Sequence, residues 1–171
     1  ILADIPRWVT VFDVERMVQL LMENDPDQDD SELRRLCASH SINMIDDNPG
    51  RGVDVVDWSG DLGADWNRFW NEQCVHKFVG PSRDAQYMNW RYFHHPTYTY
   101  ETRLARDMVS GKILGIVIFR IERIRDRSEK VLRVVECLST PAANVPLAHS
   151  MLSSALANEA IFADFYCTRQ Q

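Results

Sequence analysis

The segment that most restricts the possible folds is KILGIVIFRIER, residues 112 to 123, in which the run from Ile113 to Ile121 is interrupted only by Gly115 and Arg120. A strand that is almost wholly apolar and β-branched has no polar face to offer water, so other elements must cover it on both sides. The run is also far shorter than the roughly 18 apolar residues that a membrane-spanning helix requires. With no secretory apolar region at its start, the chain is expected to keep out of the membrane. At 171 residues, 45% hydrophobic and 26% charged, it has enough material for one well-filled core, which excludes a disordered or fibrous protein.

The flanking sequence predicts partners for this strand. Upstream, Tyr98, Tyr100, Thr102 and Leu104 alternate with Thr99, Glu101 and Arg103, so the two sets are expected on opposite faces of a strand. A turn at Ser110 and Gly111 leads into the central run, RDRSEK makes a second turn, and KVLRVVECL forms a third strand. Before this meander, Ser82 is expected to cap a helix through QYMNWRY that stops short of His95 and Pro96, because the residue before proline resists helical backbone. After it, a helix from about Pro146 to Ala160 presents Leu147, Met151, Leu152 and Ala155 on one side, and IFADFYC reads as a last strand.

The first 80 residues are more broken. Ile5 to Phe12 alternates like a strand, and Asp13 caps a helix that carries Val14, Met17, Leu20 and Leu21 at helical spacing. NDPDQDD ends that helix, and Ser31 or the aspartates before it cap a second one bearing Leu33, Leu36 and Cys37. The acidic run lacks the glycine turn and distal glutamate of an EF-hand, so it reads as cap and solvent loop rather than a calcium site. DNPGRG marks a turn, VDVVDW a short strand, and Asp65 the start of a third helix with Trp66, Phe69 and Trp70 on one stripe. A single α/β (α+β) domain is expected over 1–171, with a mixed, mainly antiparallel sheet flanked by helices. Its residues 1–80 form a helical and irregular N-terminal part, and 81–171 the helix, meander, helix and strand.

Charge and side-chain chemistry narrow the partners. A formal charge of -6 repels phosphate backbones, and the basic residues from Arg120 to Arg133 are interleaved with Glu122, Asp126 and Glu129. They read as a solvated hairpin tip, and no nucleic-acid partner is expected. Cys37, Cys74, Cys137 and Cys167 have no CxxC spacing, and Cys137 and Cys167 fall in strand-like runs where a thiol acts as a small hydrophobe. They suit a reducing, cytoplasmic setting. His94 and His95 are adjacent and diverge, with no carboxylate at ligand spacing, so no metal is expected.

The order helix, three-strand meander, helix, strand, together with RDAQYMNWRYFHHPTYTY at the junction, resembles the central and C-terminal part of the GNAT acyltransferase fold, in particular the second lobe of two-lobed bacterial GNAT-like proteins. IPRWVTVFD resembles the passage that follows the first lobe, which leads to the expectation of a longer natural chain and of a partner lobe or a homo-oligomer. The resemblance implies acetyl-CoA or another acyl-CoA held between the KVLRVVECL and IFADFYC strands. The pantetheine would pair near Cys137, Leu138 and Ser139, and the pyrophosphate would rest at the helix N-terminus near Asn144 and Val145, where amide N-H groups and the helix dipole favour an anion. The sequence departs from the family at STPAANVPLAH, which has no glycine and where Pro141 and Pro146 each remove a donor.

Acyl transfer to an amine needs a base, and Glu136 is the candidate, near the end of a strand among apolar neighbours. Tyr98 and Tyr100 are candidates for lining the pocket of a small amine acceptor, and Arg91 for substrate binding or as the partner of Glu136. Two readings result. One is an N-acyltransferase domain, or only its acceptor-binding lobe; the other, favoured by the glycine-free loop, is a non-catalytic GNAT-like interaction domain.

Overall fold

The central run becomes an interior strand of a six-stranded sheet in the computed structural model, which describes residues 7–41, 50–77 and 80–166. In chain order the elements are β1 (Arg7–Val11), α1 (Val14–Asn24), α2 (Asp30–Ser39), β2 (Val53–Asp57) and α3 (Ala64–Phe69), which runs on as a π turn through Trp70–Cys74. Then follow α4 (Ala85–Met88), prolonged by a second π turn at Asn89–Phe93, β3 (Glu101–Asp107), β4 (Ile113–Arg123), β5 (Lys130–Ser139), α5 (Pro141–Ala157) and β6 (Ala160–Tyr166). The strand order is β1-β6-β5-β4-β3-β2. All neighbours are antiparallel except β5 and β6, which run parallel and are therefore joined by the long crossover helix α5. From α4 to β6 the elements follow the expected order of helix, three-strand meander, helix and strand, and the fold class is α/β with a mixed, mainly antiparallel sheet.

Alternation along β4 explains the two layers. Ile116 and Ile118 enter a core with Trp66, Phe69, Met88 and Leu104 on the α3 and α4 side, whereas Val117 and Phe119 pack with Leu132, Leu147, Ala155 and Ala163 under α5. The outer strands both come from the first 80 residues: β1 pairs with β6 and β2 with β3. Beside β1, helices α1 and α2 bury Val11, Val18, Leu33 and Cys37 together. Among the described residues no helix is long and apolar enough to cross a membrane.

Several expected boundaries move. Asp13 does cap α1, its carboxylate accepting from Arg16 N at 3.0 Å, and Asp29 caps α2 through Glu32 N at 2.9 Å. Helix α4, however, is capped by Asp84, which accepts from Tyr87 N at 2.9 Å, and not by Ser82. Helix α5 starts at Pro141, five residues before the expected Pro146. Pro141 takes the first helical position, where its missing N-H costs nothing. Pro146 lies inside the helix, where the carbonyl it leaves without an intrahelical donor is that of exposed Ala142. Its ring packs on Gly50, whose φ is +75° and where an added Cβ would lie 2.8 Å from Pro146 Cγ. The expected strand start at Thr97 also moves, because β3 begins only at Glu101. Pro6, Cys167 and the first part of DNPGRG lie outside the described residues.

Candidate functional site

Strands β5 and β6 pair in parallel from Lys130–Ala160 to Val134–Phe165, with one register shift after Lys130, and β5 continues to Ser139 beyond the last of these pairs. At the same point β5 carries an extra residue. Ile118 faces Glu136 and Phe119 faces Val134, which leaves Val135 as a bulge against β4. A bulge bends its strand and disrupts its ladder, and among the described residues the last pair of β5 with β6 comes just before it. A groove of about 270 Å³ opens there, floored by Val117, Val134, Cys137 and Ala163 and walled by α5 and β1. Helix α5 contributes Asn144, Leu147, Ala148, Met151 and Leu152, the i, i+3, i+4, i+7, i+8 stripe of one face.

Of the residues implied for the coenzyme, Cys137, Ser139 and Asn144 line this groove. Leu138 is buried on the opposite face with Trp66 and Met88. Val145 falls in the second turn of α5 and is half exposed, because the helix N-terminus is at Thr140 and Pro141. Ser139 Oγ donates to Asn144 Oδ1 at 2.5 Å, tying the end of β5 to the first turns of α5. Contrary to the expectation for a small hydrophobe in a strand, Cys137 is exposed, whereas Cys37 and Cys74 are buried. Burial raises the Cys37 thiol above its ordinary range and pushes Cys74 up to about 11.

Glu136 is buried, and its carboxylate is already engaged. Arg83 Nε donates to Oε2 at 3.2 Å and the Tyr92 hydroxyl donates to the same oxygen at 3.1 Å. The expected partner Arg91 is instead exposed, with its guanidinium 5.9 Å from the Tyr92 ring. Burial first, and the Glu136 charge second, raise the Tyr92 phenol above its ordinary value. A phenol whose folded pKa is raised contributes stability that is complete below the ordinary value near 10 and is lost as pH rises above it. The urea midpoint of the protein is therefore expected to fall above about pH 10, and that of Tyr92→Phe to fall less over the same range.

Tyr98 and Tyr100 precede β3 rather than lying in it, yet their rings stay neighbours as expected, with centroids 6.3 Å apart. Tyr100 packs edge-on to Tyr92, with ring centroids 5.5 Å apart, while the half-exposed Tyr98 stacks under the Arg120 guanidinium at 4.1 Å. His95 orients this segment, since its Nδ1 accepts from the backbone of Thr97 at 3.1 Å and of Tyr98 at 3.0 Å. His94 pairs with Asp61 at 2.9 Å, and among the described residues no cluster of His, Cys, Asp and Glu could hold a metal.

The expected solvated hairpin tip also divides: Arg125 is fully in solvent, but Arg120 and Arg133 are part-buried in ion pairs on the sheet. The most buried of these carboxylates is Asp164, which the sequence reading missed. It accepts from Arg7 Nη2 at 2.7 Å and from Arg133 Nε at 3.1 Å, joining β1, β6 and β5 beside the groove. An Asp in an otherwise apolar strand was the available signal, because a buried carboxylate needs charged partners. A second cavity of about 240 Å³ lies beyond the N-terminus of α5, where Asp65 and Glu72 balance Arg68 and Lys112.

No protein-family model matches this sequence, and no curated protein matches it. Similar arrangements occur among solved structures. An integron cassette protein from the mobile metagenome of V. cholerae is 13% identical with a TM-score of 0.49, over 71% of this chain and 78% of that one. An Enterococcus faecalis protein described as a probable N-acyltransferase is 19% identical with a TM-score of 0.48 over 68% of this chain, which spans only 27% of that protein. A Trypanosoma brucei acetyltransferase is 12% identical with a TM-score of 0.42, over 63% of this chain and 78% of that one. At such identities the likeness concerns the fold alone.

Proposed function

We propose that this chain is a GNAT-like acyltransferase lobe that holds an acyl-CoA thioester in the groove between β5 and β6 and serves the acylation of an amine. The observation that supports it is the bulged end of β5, which runs on from Val135 to Ser139 beside an apolar groove lined by β5, β6, β1 and α5. An extended pantetheine arm has amides that suit a strand edge and an apolar body that suits Val134, Leu147 and Phe165. The first turn of α5 adds the positive end of a helix dipole for the pyrophosphate, although Pro141 supplies no donor there.

In this reading Glu136 is the proposed base and Tyr98, Tyr100 and Arg91 the proposed acceptor contacts. A base must come within about 3 Å of the proton it takes, directly or through one water. The Arg83 and Tyr92 bonds to Glu136 therefore favour, as a specific observation, a second reading in which the lobe holds the coenzyme, or a neighbouring lobe, without performing the transfer.

Cys137 provides the test of the groove, because it lines the groove and is the exposed one of the three described cysteines. In a Cys167→Ser background at pH 8, a maleimide is expected to label Cys137 well before Cys37 or Cys74, since exposure and thiolate fraction control the rate. Saturating CoA is expected to slow that labelling at least tenfold. Labelling at an unchanged rate would contradict occupancy of the groove.

A further inference from the structure

The turn between β3 and β4 exposes two adjacent large apolar side chains, Met108 at 68% and Val109 at 95%, next to the cavity beyond the N-terminus of α5. We propose that this end of the molecule is a self-association surface, on which the Met108 and Val109 tip of one chain enters that cavity in a second copy and receives the second copy's tip in return. A single exposed apolar side chain needs no explanation. Two together at a chain reversal do, because turns ordinarily place Gly, Asn, Asp or Ser there. Asp107 supplies the turn chemistry instead, its Oδ1 accepting from Val109 N at 3.2 Å, Ser110 N at 2.6 Å and Ser110 Oγ at 2.7 Å. Gly111, at a φ of +68°, closes the turn by donating its N-H to the Asp107 carbonyl at 2.8 Å. The tip is thus held in one shape before a partner arrives, and docking it loses little ordering entropy.

The cavity, of about 240 Å³, offers such a tip apolar surface from Phe69, Ile113 and Leu114. Its own chain does not fill it, since Ser110, Gly111 and Lys112 of the same turn form part of its wall. Tip and cavity therefore lie side by side, and a two-fold axis between them sets each tip against the other copy's cavity, the reciprocal pattern of an isologous contact. Charge favours a second copy as the occupant. Asp65 and Glu72 stand against Arg68 and Lys112 around the cavity, so in a chain of net charge -6 this surface is locally neutral and complementary to itself. Asp65 and Arg68 already pair at 3.4 Å, whereas among the described residues Glu72 and Lys112 make no ion pair. Lys112, beside the tip of one copy, is placed to meet Glu72 of the other. None of these residues lines the groove of β5 and β6, so the inference stands apart from the coenzyme reading.

The test is analytical ultracentrifugation of the full chain over a range of concentrations. The weight-average mass is expected to rise toward twice that of one chain, with a Kd below about 100 μM, since a contact of two tips and two cavities is small and transient. Val109→Asp changes a side chain that is 95% exposed, so the monomer keeps its fold, and dimerisation is expected to weaken roughly tenfold or more. Glu72→Lys and Lys112→Glu are each expected to weaken it, and the two changes combined to restore most of it. A chain that stays monomeric to about 1 mM would overturn the proposal. A dimer that Val109→Asp leaves unchanged would overturn it too, by locating the contact on another surface. No recovery in the double variant would overturn the reciprocal arrangement.

Discussion

Trp66→Ala is expected to lower the unfolding free energy by about 4 kcal/mol, the usual scale for truncating a buried aromatic side chain to alanine. Trp66 is wholly buried, with its ring 5.1 Å from that of Phe69 in the core beneath α3 and α4. Its indole N-H also donates to the Arg83 carbonyl at 2.6 Å, so truncation leaves a cavity and takes the donor from that carbonyl. The same bond fixes the segment from which Arg83 reaches Glu136. A chain of this size loses roughly 2–4 °C per kcal/mol, so calorimetry should show a fall of about 10 °C in the variant. A fall under about 3 °C would mean that this core is not packed as described.

Asp164→Ala is expected to cost about 3 kcal/mol, the scale set by breaking one side of a buried ion pair. Its carboxylate is fully buried while Arg7 and Arg133 are partly exposed, so both guanidiniums can recover some hydration, which keeps the cost at the lower end. The loss should be cooperative with the β1 edge, because Arg7 is on β1 and Asp164 on β6 in antiparallel register. Hydrogen exchange in Asp164→Ala is expected to be faster across β1 and β6 than across β3 and β4. Uniform acceleration would contradict a local clamp. The Arg133→Ala variant, which leaves Arg7 in place, should cost less than Asp164→Ala.

Periodic and short-range features were legible in the sequence, and those that depend on distant residues were not. The β4 run demanded cover on both faces, and Ile116, Val117, Ile118 and Phe119 do divide between two cores. Asp13 was readable as a cap because its partner lies three residues away. Arg83 as the partner of Glu136 was not, since the two are 53 positions apart and Arg91 stood at an equally plausible helical position. Pro146 misled because proline favours the first turn of a helix, and its tolerance deeper in α5 depends on solvent at Ala142 and packing on Gly50. Tyr98 and Tyr100 alternate as a strand would, yet the His95 turn and stacking on Arg120 hold them outside the ladder. The groove itself depends on a one-residue bulge at Val135, which no local pattern announces.

In the proposed function, the groove beside the bulged end of β5 receives the coenzyme portion of an acyl thioester. Thermal unfolding of the full chain with and without CoA tests it most directly, because a ligand that binds only the folded state stabilises it by mass action. At about 100 times its Kd, CoA is expected to add roughly 2.7 kcal/mol, a rise of several degrees in Tm. An unchanged Tm up to millimolar CoA would contradict the proposed function and leave the groove without the coenzyme.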